Sequence, residues 1–383
     1  MNQLQSILDF CRREQAWLLE TLQTLVRLES PSSDKAAVDR CGAELERQLH
    51  AIGASVTRLA RETAGDHLRA EVGHGPQQLL VLAHFDTVWP VGQLGRMPLR
   101  FDDGRLYGPG VYDMKGGIAI TLLALRALQS VARARLPHVV GLFTTDEEVG
   151  SATSKEAIED EARRSDAVLV VEPSMSDNGA LKTARKGCAG YRLGVRGVAA
   201  HSGEPHKGVN AVLELADQLL AIERLGDLGR DLTITAVMAG GGALANVVPD
   251  EAWALLDVRM RRLADAAAVE DALRSLQPRR VGARLTVSGG VERPPLERTA
   301  GVVRLFDLAR AVGAEIGVDV GEGSSGGVSD GNFTAALGVP TLDGLGAVGG
   351  GAHAVTEHVQ VDALAPRAAL LAGLLGRVWP GAS

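Results

Sequence analysis

The chain has 383 residues, 45% of them apolar and 23% charged, which excludes a disordered polymer and leaves room for about two domains at ~150 residues each. Lys plus Arg number 40 against 47 Asp plus Glu, a net charge of −7, and aromatic residues make up only 3%. That balance argues against a nucleic-acid partner, which is ordinarily met by a basic surface or a platform of stacking rings.

Gly occurs 46 times, about 12% against a typical ~7%, so tight turns and loops that approach a ligand closely are expected. The three cysteines, Cys11, Cys41 and Cys188, are an odd number with no metal-ligand spacing. A disulfide framework is not expected, and a reducing compartment, the cytoplasm, fits better. The N-terminal twenty residues carry charges through their apolar pattern and read as an amphipathic helix rather than a signal peptide. No stretch approaches 18 uninterrupted apolar residues, so neither a membrane span nor a membrane partner is expected.

In chain order, Leu4, Ile7, Leu8, Leu18, Leu22, Leu25 and Val26 recur at helical spacing until Pro31-Ser32-Ser33 breaks the run. A second helix over about 35–52 stops at Gly53. The apolar runs LLVLAH (79–84), VVGLFTT (139–145) and AVLVVEP (167–173) read as strands buried on both faces. They alternate with helical patterns at 116–131 and 153–164. That rhythm predicts an α/β fold, a mixed, mostly parallel sheet flanked by helices. Near residue 185 the character shifts to YRLGVRGV, a helix over 208–225, TITAVMAGG, AWALLDVRMR, a helix over 265–276 and RLTVSGG. A β-α-β-β-α-β order predicts an inserted ferredoxin-like α+β domain. Helical patterns resume after Pro294-Pro295 and close the chain at about 362–378. The expected division is 1–184 and 294–383 for one domain and 185–293 for the insert.

Open α/β sheets place ligands beyond the carboxyl ends of their strands. His84 and Asp86 follow LLVLA, Asp146-Glu147-Glu148 follow GLFTT, and Glu172 follows AVLVV. Asp113 stands in a glycine-rich loop before a helix, and His353 follows another, AVGGGA. A lone carboxylate at a strand end is ordinarily a helix cap or a solvated turn residue. Several independent ends supplying only His, Asp and Glu point instead to a site. Imidazole and carboxylate without thiolate suit zinc, cobalt or manganese. Five such ends, each supplying a ligand, exceed what one tetrahedral zinc uses, so a pair of metals is expected. Residues i and i+2 of a strand share a side, so Asp86 can orient a metal-bound His84. In the pair Glu147-Glu148 adjacent side chains diverge, so one can bind metal while the other faces water or substrate as general base.

Competing signals are weak. GPGVYD lacks the third glycine of a dinucleotide fingerprint, no P-loop is present, and the helix dipole accounts for Arg133 and Arg135 at a helix end.

The ordered set HFDTVWP (84–90), LYGPGVYDMKGG (106–117), TTDEEVGS (144–151), VVEPS (170–174), HSGEPHKGVNA (201–211), NVVPDEAWALLDVR (246–259), GGVSDGNF (326–333) and GGGAHAVTEHV (349–359) resembles the M20 metallopeptidases. Among them it is most similar to the carboxypeptidase G group, the glutamate carboxypeptidases. The resemblance implies a zinc-exopeptidase-like fold and two divalent metals, usually zinc. Asp113 would bridge them, with His84 and Glu172 completing one site and Glu148 and His353 the other. Asp86 would orient His84, and Glu147 would be the general acid/base. The resemblance further implies a cis peptide at Asp113–Met114.

It makes the insert a dimerisation or lid domain of a homodimer, with His201 donating to a substrate oxyanion. Asn246 and Arg259 would contact substrate. On residues alone, His201 beside Ser202-Gly203 reads as a structural loop histidine and Arg259 in RMRR as part of a solvated basic strand. Arg293 and the Gly326-Gly327 stretch before Ser329-Asp330 are further candidates for holding a carboxylate. The function so implied is metal-dependent hydrolysis of an amide next to a C-terminal carboxylate in a small peptide or N-acyl amino acid. The alternatives are an N-acyl-amino-acid deacylase or a di- or tripeptidase on the same machinery. A non-catalytic binding protein would be expected to have lost one of the ligands or Glu147.

Overall fold

The computed structural model describes residues 3–75, 77–131, 136–175 and 178–378. Arg133 and Arg135 lie outside the described residues. The chain divides into two units, one formed by Met1–Ala184, Arg298–Ser325 and Ser329–Ser383, the other by Arg185–Glu297 and Gly326–Val328.

The first unit is built on a six-stranded sheet in the order Ser55–Leu59, His67–Val72, His138–Thr144, Gln78–His84, Ala167–Val170, Thr341–Leu342. The first two pairings are antiparallel and the other three parallel. Alternation along Gln78–His84 sends Leu79, Val81 and Ala83 to one face and Leu80 and Leu82 to the other, and each set joins its own apolar cluster. The larger cluster holds the helices Gly116–Val131 and Val361–Val378. The smaller one packs Ile158 and Ala162 of the helix Lys155–Arg163 and Phe333 against Leu80, Val140 and Val168. Helix starts follow local chemistry: Asp34 accepts from the Ala37 N–H, and the Thr299 hydroxyl accepts from Val302.

Two details differ from the sequence reading. The N-terminal run is not one helix but two, Gln3–Arg13 and Gln15–Arg27, broken at Glu14 (φ −91°, ψ 11°). The first packs mainly on Val361–Val378, the second on Gly116–Val131 and the turn Val111–Lys115. A straight rod would not follow both surfaces. The strand expected over 167–173 leaves the sheet after Val170, because Val171 turns against the helix that starts at Gly116. A Cβ on Gly117 would sit 2.0 Å from the Val171 carbonyl oxygen.

The second unit carries a four-stranded antiparallel sheet in the order Thr233–Gly241, Glu251–Met260, Gly187–Arg196, Arg284–Arg293. With the helices Ala211–Glu223 and Leu263–Arg274, the chain order is β-α-β-β-α-β. Alternation buries Ala252, Ala254, Leu256, Val258 and Met260 in this unit's core and turns Trp253, Leu255, Asp257 and Arg259 to the other face. The unit extends past residue 293, because Arg185 and Leu296 exchange backbone hydrogen bonds of 3.0 and 3.1 Å. Gly326–Val328 joins it as well, its Gly327 and Val328 carbonyls accepting from Arg185 Nη1. Neither link has a sequence signature.

Cys11, Cys41 and Cys188 are free and buried. No described helix is long and apolar enough to cross a membrane.

Candidate active site

Parallel strands aim their carboxyl ends to one edge of the sheet, and there the first unit gathers its polar residues. His84 ends the strand Gln78–His84, and Glu172 lies two residues past Ala167–Val170. Glu147 and Glu148 open a short turn, Glu147–Val149, just past His138–Thr144. Asp113 sits in the turn Val111–Lys115 that leads into Gly116–Val131, and the Asp113–Met114 peptide is cis. His353 occupies the loop between Gly349–Gly350 and His358–Gln360, with a left-handed backbone (φ 60°).

These segments bring five side chains into two groups that share Asp113. His84, Asp113 and Glu172 form one, and Asp113, Glu148 and His353 the other, the ligand atoms in each lying within 4.8 Å of one another. His84 Nε2 is 3.4 Å from both Asp113 Oδ1 and Glu172 Oε1. His353 Nε2 is 3.4 Å from Asp113 Oδ2 and 3.2 Å from Glu148 Oε2. Each Asp113 oxygen therefore faces a different group, an arrangement only a carboxylate provides.

The electrostatics ask for positive charge. Burial opposes ionisation of Asp113, yet the His353 and His84 imidazoles hold it well below the usual carboxylate range. Burial likewise opposes a charged His84, but Asp113, Asp86 and Glu172 outweigh it and raise its pKa. Asp113 and Glu148 push the His353 imidazole up to about 10. Glu148 itself is pushed up by burial, and its Oε1 is buried with no hydrogen-bond partner among the described residues. Nitrogen and oxygen donors in two groups of three, one oxygen unsatisfied, fit divalent cations of the zinc, cobalt or manganese type. A bound cation would displace the imidazole protons.

Around these groups, His84 Nδ1 lies 3.1 Å from the Asp86 backbone carbonyl and 3.4 Å from Asp86 Oδ1. With Nδ1 so engaged, Nε2 is the nitrogen turned to Asp113 and Glu172. Asp86 Oδ2 accepts from Ser32 Oγ (2.7 Å) and from the Glu148 N–H (3.3 Å), so it ties the His84 segment to the acidic turn. Glu147 is half-buried beside Glu148 and belongs to neither group. Asp146 shapes that turn: its Oδ2 accepts from the Thr153 N–H and hydroxyl, and its carbonyl accepts from Ser151.

The second unit carries the remaining candidates. His201 lies on the strand Ala200–His201, paired with Val247–Val248, and Asn246 accepts at its carbonyl from the Ser202 N–H. These two exposed residues are therefore neighbours. Gly203 N–H donates to His201 Nδ1 (3.0 Å), which puts the imidazole proton on Nε2 and makes that atom a donor. Arg259 grips Asp257 through Nε and Nη2 (2.8 and 2.9 Å), so one edge of its fork is occupied. Sequence reasoning missed Asp257, although i and i+2 on one strand face share a side. Arg293, at the end of the strand Arg284–Arg293, is buried at 4% exposure. The Gly326-Gly327 stretch offers carbonyls to Arg185, and Ser329 and Asp330 are engaged inside the first unit with Asp343, Ser151 and Thr144.

Glu357 was also not singled out. It is fully buried and accepts from the backbone N–H groups of Gly110, Tyr112 and Asp113 and from Trp89 Nε1. Its signal in the sequence was an acid four residues after His353, between Thr356 and His358.

Residues 80–377 match the family model described as peptidase family M20/M25/M40. Carboxypeptidase G2 of Pseudomonas sp. (strain RS-16) is 33% identical over 370 residues, covering 94% of this chain and 89% of that protein. A succinyl-diaminopimelate desuccinylase of Xanthomonas oryzae pv. oryzae is 31% identical, covering 88% and 93%. Among solved structures, aminopeptidase PepT of Bacillus cereus superposes with a TM-score of 0.78 at 23% identity, covering 95% of this chain and 98% of that one. A dinuclear metal-binding M20 peptidase of Bacillus subtilis superposes with a TM-score of 0.71 at 14% identity, covering 96% and 99%. Matched over most of its length in sequence and fold, this chain belongs to peptidase family M20/M25/M40.

Proposed function

We propose that this chain is a dinuclear metal-dependent exopeptidase that hydrolyses an amide next to a free C-terminal carboxylate, a carboxypeptidase of the glutamate carboxypeptidase type. The observation that carries the reading is Asp113, whose two oxygens are divided between two groups of nitrogen and oxygen donors. His84, Asp113 and Glu172 would hold one cation and Asp113, Glu148 and His353 the other, zinc before cobalt or manganese. Such a pair would supply Lewis-acid activation of the scissile carbonyl and of water.

Glu147 takes the proton of the attacking water and passes it to the leaving amine, as general base and then general acid. Asp86 orients His84. His201, protonated at Nε2, donates to the oxyanion. Asn246 and the edge of Arg259 that Asp257 leaves available hold the substrate carboxylate, a match of planar fork to planar anion.

Removal of an N-acyl group from an amino acid uses the same chemistry, and the similarity to desuccinylases favours it as the second reading. Rates on N-acyl amino acids and short peptides, each with a free and an amidated C-terminus, separate the two. Equal rates on free and amidated substrates would reject the carboxypeptidase reading.

The protein is proposed to act in the cytoplasm as a homodimer. The strand Thr233–Gly241 is an edge of its sheet with Val237 and Met238 exposed, a surface suited to pairing with a second copy.

A further inference from the structure

We propose that Glu357 is the positioning residue that assembles the metal centre by fastening the loops bearing His84, Asp113 and His353 to one another. The inference rests on the reading of those three residues as metal ligands. Its basis is a convergence of donors. Glu357 Oε2 accepts from Gly110 N–H (2.9 Å) and Trp89 Nε1 (2.7 Å). Its Oε1 accepts from Tyr112 N–H and Asp113 N–H, both at 3.0 Å.

All four donors are neutral N–H groups, three of the backbone and one of an indole. Trp89 lies five residues past His84, and the Asp113 N–H belongs to the shared ligand itself. Glu357 is four residues past His353, in a turn closed by its own N–H on the Ala354 carbonyl (2.9 Å). Three chain segments far apart in sequence thus meet on one side chain.

The surrounding backbone is shaped to let this happen. Gly110 (φ 73°) and Gly351 (φ 76°) occupy left-handed conformations. A Cβ on Gly351 would stand 2.8 Å from the Glu357 nitrogen. The Gly108 N–H adds a bond to the Glu357 carbonyl (3.3 Å).

The donor count also selects the residue type. The two carboxyl oxygens accept from two N–H donors each, so about four acceptor sites are used. Glutamine keeps one accepting oxygen and turns an NH2 group towards two N–H donors, and aspartate is shorter by a methylene. Partners behind the ligands fix their orientation, and their loss costs roughly 10–100-fold in metal affinity or activity.

The test compares wild type, Glu357→Gln and Trp89→Phe, each checked for folding by circular dichroism and thermal melting. Zinc affinity is read by competition with a chromophoric chelator and stoichiometry by elemental analysis. The indole N–H of Trp89, assigned with Trp89→Phe, reports by NMR whether its bond to Glu357 exists in the metal-free protein.

Folded Glu357→Gln is expected to bind zinc roughly 10–100-fold more weakly, with activity that returns in excess zinc at a KM near that of wild type. Trp89→Phe should shift affinity in the same direction by less. A lowered melting temperature with wild-type zinc affinity would mean a merely structural role and would overturn the proposal. If Glu357→Gln does not fold, Trp89→Phe decides, and unchanged zinc affinity there overturns it. A wild type that takes up no zinc sinks the underlying metal reading and this inference with it. A loaded wild type beside an equally loaded variant sinks only the role of Glu357.

Discussion

Replacing Glu147 by glutamine separates proton transfer from metal holding. The amide keeps the size of the side chain and removes its ability to accept and return a proton. Glu147 belongs to neither donor group, and the three acids that do, Asp113, Glu148 and Glu172, are untouched. Metal content should therefore stay at the wild-type level. General acid–base catalysis is worth about 10²–10⁴-fold, so kcat should fall by that factor, a barrier increase of roughly 3–5 kcal/mol at ~1.4 kcal/mol per decade. KM should change little if Glu147 acts mainly on the transition state.

Asp113→Asn is the control. It takes a charge from both groups at once and puts an NH2 where one imidazole met an oxygen, so metal content should fall together with activity. The assay is steady-state hydrolysis of an N-acyl amino acid, with elemental analysis of the same samples. Glu147→Gln with full metal and near-wild-type turnover would refute the proton-transfer role. Loss of metal in that variant would show that Glu147 is a ligand.

Metal-saturated protein should hold two cations per chain, about 3.5–4 Å apart by X-ray absorption, and a single cation per chain would reject the bridging reading of Asp113. Arg259→Ala should raise KM, and amidating the substrate should slow the wild type more than the variant. An equal effect on both removes Arg259 from carboxylate recognition. Glu71 beside Arg69 and Glu322 beside Arg298 are held below their ordinary carboxylate values by those guanidinium groups. Their contribution to stability is present above the unfolded pKa of about 4.3 and is lost as pH falls through the depressed folded values. The melting temperature should thus decline below about pH 4, less steeply in Arg298→Ala than in wild type. Met238→Glu on the exposed edge strand should convert a dimer to monomer in size-exclusion light scattering, whereas a monomeric wild type refutes the pairing.

Sequence alone carried everything that depends on local pattern. Continuous apolar runs such as LLVLAH marked strands covered on both faces, because burial on two sides leaves no polar alternation. Polar residues at the ends of those runs marked a site, because parallel strands deliver their ends to one edge of a sheet. The β-α-β-β-α-β order identified the insert, because its periodicities of 2 and 3.6 are local.

What tertiary structure decided was which atoms meet. The split of Asp113 Oδ1 to His84 and Oδ2 to His353 depends on loops about 240 residues apart in the chain. Asp257 on Arg259 depends on rotamers, and the break at Glu14 on which helices each segment must cover. The second unit runs on to Glu297 because Arg185 pairs with Leu296, a register that no composition shift announces. Glu357 is the sharpest case. Its acid is visible in the sequence, but three backbone N–H groups and an indole converge on it only when folding closes those loops. A donor that belongs to the backbone leaves no letter in the sequence to read.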